Sequence, residues 1–407
     1  MPAPTVTITR AQGQPQSSPG VDFALCIIGT SSATPLSAGA LSSAYYSPSA
    51  IVADYGIGDG VDAVCHALTK TTDNPAPPGV SFLSTHGMSG LTAGVRGATL
   101  DVSHVTGGTT VSKTASTHPE GTYQPYVKVL DDGNSGAGTA IGTAGIILQA
   151  SLDGGRTFLP SVALGTATTF KVQIPNPGGS AIDTGVQYDF THASGSDTLK
   201  TGDYWTESKT TPPQWAGSDL YTAGTVPTGA LSTIAQSAQS FGLIAITEPV
   251  AAADIATLTA ALNACQALRA SFRPTVIVRF RDQGVSESDA TYLAALATFR
   301  AAAASDARIC AVAGDGWLTD AFRGYVYSRS GLPAVLARLQ GMAAIPGSQG
   351  ERVAQSPGYA ARGPLVGFSV RDAAGNPVGH DERVRGGALG PYNGKGGFLC
   401  FYYEASE

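Results

Sequence analysis

Charge is scarce in this sequence. Asp, Glu, Lys and Arg make up 13% of the residues, against about 25% in an average soluble domain. Glycine (51 residues), Ala, Ser and Thr take their place. A surface of hydroxyls and short side chains costs less to desolvate than one of Lys and Glu, so this composition suits broad contact with other protein. A net charge of −6 argues against nucleic-acid binding by bulk electrostatics. The charge present is unevenly placed. Through Trp215 there are 9 basic and 15 acidic residues, and from Ala216 onward 15 of each. Of the 17 Arg, 14 fall between Arg269 and Arg385. Arginine is the residue of forked ion pairs and protein interfaces, although codon bias and solvated helix faces would also collect it.

Long apolar runs are missing as well. None approaches the roughly 20 residues that span a bilayer, so no stable membrane insertion is expected. The opening "MPAPTVTITR" has no apolar h-region. Cysteine pairs are missing too. Cys26, Cys65, Cys265, Cys310 and Cys400 are widely spaced, odd in number and without a C-x-x-C. Several sit in apolar runs such as "FALCIIG" and "RICAVAG". Buried, reduced thiols and synthesis in a reducing compartment are the expectation.

Chemistry-bearing motifs are absent in turn. His66, His86, His104, His118, His192 and His380 are scattered, with no H-E-x-x-H and no Cys/His ligand spacing. "CIIGTSSATPLSAG" follows a strand pattern but lacks the G-K-[ST] of a phosphate loop. "GIGDGVD" carries Gly56, Gly58 and Gly60, short of dinucleotide spacing, and reads as a turn. No G-x-S-x-G exists; in "HGMSGL" the spacing of His86 and Ser89 is wrong for a nucleophile elbow. Asp381 and Glu382 are adjacent, so an extended chain turns them to opposite faces. Arg383 and Arg385 beside them make an ion-pair patch the simpler reading. The expectation is no catalytic, cofactor-binding or metal-ligating residue, and no cofactor.

What the sequence does contain is a change of periodicity along the chain. Residues 1–20 are polar and rich in Pro and Gly, an extended arm. In 21–90, "FALCIIG" and "GVSFLST" read as buried strands, and "SPSAIVADYG" and "GDGVDAVCHALTK" as short helices, with Asp59 or Asp62 near the start of the second. Residues 91–215 alternate apolar and polar between turn clusters, an all-β segment forming a sandwich or small barrel. In 216–407 the strands "FGLIAIT", "PTVIVRF" and "RICAVAG" alternate with two helices. The first helix shows Ile255, Leu258, Leu262, Cys265 and Leu268 on one face. The second shows Leu293, Leu296 and Phe299, with Ser286 and Asp289 as its cap. A further helix, "LPAVLARLQGMAAI", and strands "GPLVGFSV" and "GGFLCFYY" complete the chain. Strand–helix–strand order with short connections predicts right-handed crossovers and parallel pairing. The fold class expected is an α/β core, a mixed and largely parallel sheet with flanking helices, split by an inserted all-β domain; the whole is an α+β multidomain protein.

Within the β segment, "SLDGGRTF" (Ser151–Phe158) resembles the Asp box of sialidases and related glycan-cleaving propellers. It occurs once, without a propeller-length repeat. Asp153-Gly154-Gly155 lies between two strand-like runs, where the glycines supply positive φ and Asp153 accepts backbone hydrogen bonds. The turn reading is therefore preferred to an enzyme tag.

The order of segments is itself informative. "ALCIIGTSS" followed by "YYSPSAIVADYGIGDGVDAVCHAL" resembles the start of contractile phage tail sheath proteins. "YQPYVKVLDDG", "GIILQASLDGGRTFLPSVALGTATTFKV" and "TGDYWTESKTTPPQW" are similar to their β insertion and its exit. "QSFGLIAITEP", "YAARGPLVGFSV" and "HDERVRGGALGPYNGKGGFLCFYY" follow the order of the sheath core. The resemblance covers nearly the whole chain. It implies a non-enzymatic subunit of a virion, assembled in the host cytoplasm into a helical homo-oligomer of stacked rings. The partners implied are an inner tail tube protein and baseplate and tail terminator proteins. Contraction would then drive the tube through the host envelope and needs no nucleotide site. One departure stands out: such proteins usually continue past a "GGFLCFYY"-type strand, whereas this sequence stops at Glu407. A non-contractile tail or baseplate protein and a glycan-binding or glycan-hydrolysing protein are the alternatives.

Overall fold

The computed structural model describes residues 24–69, 79–176, 179–191, 197–214, 217–223, 227–281, 287–306, 308–313, 315–319, 326–330, 369–370 and 399–400. The expected arm 1–20, the helix at 332–345, His192, His380 and the patch around Asp381 lie outside them, as does Ser286.

The chain opens with strand β1 (Leu25–Gly29), helices α1 (Pro48–Tyr55) and α2 (Asp59–Ala67) and strand β2 (Val80–Ser84). Ten strands follow: β3 (Leu100–Asp101), β4 (Thr110–Lys113), β5 (Tyr126–Asp131), β6 (Thr139–Ala140), β7 (Ile147–Ser151), β8 (Val162–Ala163), β9 (Thr169–Ile174), β10 (Ile182–Thr191), β11 (Thr198–Leu199) and β12 (Tyr204–Glu207). Helices then return: α3 (Gly217–Leu220), α4 (Ala230–Gln236), β13 (Leu243–Pro249), α5 (Asp254–Leu268), β14 (Thr275–Arg279), α6 (Asp289–Ala303) and β15 (Ile309–Ala313). Strands β16 (Asp315–Thr319), β17 (Val326–Ser330), β18 (Ser369–Val370) and β19 (Leu399–Cys400) come last.

The principal sheet runs β19-β15-β14-β13-β1-β2. β2, β1, β13, β14 and β15 pair in parallel, and β19 adds an antiparallel edge. Strands that precede residue 91 therefore share one sheet with strands that follow residue 240. Both faces are covered, which is why these strands are continuous apolar runs rather than alternating ones. On one face Ile28, Ile244, Ile246, Val276, Val278 and Ala311 pack with α4, α5 and α6. On the other, Leu25, Ile27, Ala245, Ile277 and Val312 pack with α1 and α2.

The helices follow their apolar stripes with two corrections. Leu268, expected on the buried face of α5, is 48% exposed, because the helix ends there and Arg269 turns away as its cap. The cap of α6 is Ser288, whose side chain accepts the Thr291 N–H. α4 has no side-chain cap and starts on Gly229 at φ 99. It is held by packing against α5 and carries no recognisable signature in the sequence.

Residues 100–207 form antiparallel sheets around a separate apolar core. β4-β10-β9 contributes Val111, Phe170, Val172, Val186, Tyr188 and Phe190; β3-β12-β5-β7-β8 contributes Val127, Leu148, Ala150 and Trp205. Trp205 is fully buried and meets Tyr188 and Phe190 edge-on. The chain enters and leaves through a paired stem. Thr92 and Gln214 exchange both backbone hydrogen bonds, at 2.7 and 2.9 Å, and so do Val95 and Thr211, at 2.9 and 2.8 Å. Just beyond the stem, Arg96 forks onto buried Glu207 at 3.0 and 2.6 Å. Tyr188 Oη and the Gly97 N–H also donate to that carboxylate. Such a pair is fully satisfied, the condition under which a buried ion pair is tolerated.

Candidate functional site

Two places merit a chemical reading: the Asp153 turn and the carboxyl edge of the parallel sheet. At the first, β7 ends and the chain reverses through Gly154 (φ 73) and Gly155 (φ 92). Asp153 is fully buried. Its Oδ1 accepts the N–H groups of Arg156 and Thr157, both at 2.9 Å, and the Ser151 hydroxyl at 2.6 Å. Its Oδ2 accepts the Thr157 hydroxyl at 2.8 Å. Ser151 Oγ in turn accepts the Gly155 N–H at 2.9 Å. A carboxylate engaged this way holds a turn and has no lone pair aimed at a substrate. Phe158 packs on Tyr126, under the Lys128 ammonium 3.9 Å from the Phe158 ring centre. The Asp box is here a brace for the β7–β8 connection.

The second place is where open α/β sheets hold their ligands. At the end of β1 it is filled by the protein itself, while beside the ends of β13 and β14 a pocket of about 360 Å3 lies between Pro249, Phe280 and Ala295. Gly29 at the end of β1 lies so close to Gly60 of α2 that a Cβ on Gly60 would stand 2.8 Å from the Gly29 backbone. The Gly60 N–H is given to the Thr30 carbonyl at 3.2 Å, so this helix start is not an open anion cradle. The glycines of "GIGDGVD" thus serve a turn and a close approach, with φ 73 at Gly56 and 143 at Gly58.

Behind that contact lies a buried polar layer. Glu248 of β13, Arg279 of β14 and Asp59 and Asp62 of α2 are all nearly or wholly buried. Arg279 approaches the Asp59 carboxylate at 3.6 Å. The Thr85 and Thr247 hydroxyls lie 3.5 and 3.4 Å from the Glu248 oxygens. Burial, reinforced by the charge of Asp59, pushes the Glu248 carboxyl up to about 8; at neutral pH it is mostly a neutral acid. This layer was legible only as single charged residues ending apolar strands, "AITEP" and "VIVRF".

The other residues singled out are dispersed. His86 Nδ1 faces the Ser31 carbonyl at 3.0 Å, and Ser89 is exposed. His118 Nδ1 lies 3.0 Å from the Gly94 carbonyl, and His104 stacks on Tyr204. Among the described residues no group of three or more His, Cys, Asp or Glu side chains is arranged to hold a metal ion, and no helix is long and apolar enough to cross a membrane. Cys26, Cys65, Cys265 and Cys310 are buried and in no disulfide.

No protein-family model and no curated protein matches this chain. Among solved structures it is similar to a sheath tail protein from Listeria innocua, with 12% identity, a TM-score of 0.27, and coverage of 78% of this chain and 55% of that one. It is likewise similar to a sheath tail protein from Desulfitobacterium hafniense, with 13% identity, a TM-score of 0.30, and coverage of 83% and 61%. The chain thus spans less than two thirds of either structure's length.

Proposed function

We propose that this chain is a structural subunit of a contractile tail sheath. In this reading it polymerises in stacked rings around an inner tail tube, between baseplate and terminator proteins, as part of a virion. Residues 21–90 and 216–407 form the core domain, 91–215 an inserted outer domain, and 1–20 a linking arm. The observation that carries the reading is the shared parallel sheet: β1 and β2 pair with β13 across the antiparallel segment, in the order that the sheath-like motifs follow along the sequence. A second support is the end of β1, closed by the protein's own Gly29–Gly60 contact with the buried polar layer behind it, which suits a subunit whose work is done by assembly. The surface chemistry agrees, since small hydroxyl side chains are readily desolvated in broad contacts.

Negative-stain electron microscopy of the purified chain at rising concentration, alone and with tube and baseplate proteins, tests this. Rings or helical tubes in two lengths are expected. A chain that stays monomeric under all of these conditions refutes the reading.

A further inference from the structure

We infer that the amino edge of the parallel sheet carries a binding pocket for a protein carboxylate, supplied by a second copy of this chain. The inference deepens the polymerising reading and rests on it. The pocket, about 490 Å3, opens where β13 and β14 begin. Among the described residues its lining includes Ser240, Phe241, Arg269, Phe272, Arg273 and Thr275, and no Asp or Glu.

Its two arginines are held differently. Arg269, the residue that ends α5, is fastened in place. Its guanidinium donates to the carbonyls of Ser237 and Gln239 at 2.8 and 2.9 Å and to the hydroxyls of Ser240 and Ser271 at 2.9 and 3.0 Å. Four of its five N–H donors are thus used, and the fork is fixed in orientation. Arg273 is exposed, with no hydrogen bond or ion pair among the described residues. Other arginines of the α/β segment are paired: Arg281 is forked onto Glu287, and Arg308 onto Asp306. The floor is aromatic, with buried Phe272 and half-buried Phe241, and exposed Leu268 precedes Arg269 on the α5 end.

A free guanidinium and a fixed one in a pocket that also holds two aromatic side chains is the composition of an interface anchor site. A planar carboxylate fits such a fork, accepting two parallel N–H bonds. Charge complementarity points to a second copy: the chain through Trp215 holds 15 acidic residues against 9 basic. Several of those acids, including Asp101 and Asp131, are exposed on the antiparallel layers.

The test is sedimentation velocity of the full chain over a wide concentration range, comparing wild type, Arg273→Glu and Arg273→Lys. Equal melting temperatures establish that the variants fold. Arg273→Glu is expected to raise the concentration for self-association at least tenfold, with Arg273→Lys in between, and hexaglutamate peptide is expected to compete with wild-type assembly. Wild-type self-association that Arg273→Glu leaves unchanged overturns the pocket while the polymer reading stands. If wild type never associates, the polymer reading fails, and with it the second copy as partner.

Discussion

Glu248 shows what one buried acid does to the balance of the fold. Burial pushes its carboxyl up to about 8 in the folded chain, against about 4.3 when unfolded. Between those values the folded state holds a proton that the unfolded state has released. Stability from this group is therefore complete below the unfolded value and is lost as pH rises through the folded one, at up to ~1.4 kcal/mol per pH unit. Glu120, pushed up to about 7 by burial and the nearby charge of Asp183, acts in the same direction. Unfolding midpoints in urea should fall between pH 5 and pH 8.5. In Glu248→Gln the neutral amide replaces the neutral acid, and the decline between pH 7 and 8.5 should flatten. Parallel profiles for variant and wild type would show that Arg279 keeps Glu248 ionised instead.

The β7–β8 connection is the element whose meaning changed most. Its sequence alone showed a turn, since two glycines and an Asp between strands are turn chemistry. How many donors converge on Asp153 depends on the path that Arg156 and Thr157 take, which no local pattern specifies. With two backbone N–H groups and two hydroxyls directed at one buried carboxylate, Asp153→Ala leaves several donors without a partner. A loss of about 2 kcal/mol is expected in chemical denaturation, with Asp153→Asn intermediate. A change below about 0.5 kcal/mol would mean that water replaces the carboxylate and the turn is not braced. The same contrast holds across the chain. Strands β1, β13, β14 and β15 and helices α5 and α6 were legible because burial on one or both sides writes itself into periodicity. The hairpin of β16 and β17 was not, since its "DGWLT" and "VYSRS" mix polar and apolar residues without clean alternation. Nor was the polar layer of Glu248, Arg279 and Asp59, whose members are 31 or more residues apart along the chain and meet only through sheet order.

At the scale of the whole molecule, the paired stem bears on how the chain is partitioned. Thr92 and Gln214, then Val95 and Thr211, close residues 96–210 as a loop on the parallel sheet. Cα atoms across such a hydrogen-bonded antiparallel pair lie roughly 5.5 Å apart, a gap that a two-residue Asn-Gly turn spans in a hairpin. Contacts outside the stem exist: Ile182 at the start of β10 packs toward the α1–α2 layer, and Ile57 joins the core of the antiparallel sheets. They are few beside the two faces of the parallel sheet, each with its own apolar core. Replacing residues 96–210 by Asn-Gly, so that Val95 leads through the turn to Thr211, should therefore leave a folded α/β core that unfolds in one cooperative transition. Proton NMR dispersion together with thermal unfolding of that variant decides the matter. A collapsed species without fixed tertiary signals would mean that Ile57 and Ile182 couple the layers into one folding unit, and that the proposed boundaries at 91 and 215 mark changes in sequence pattern alone.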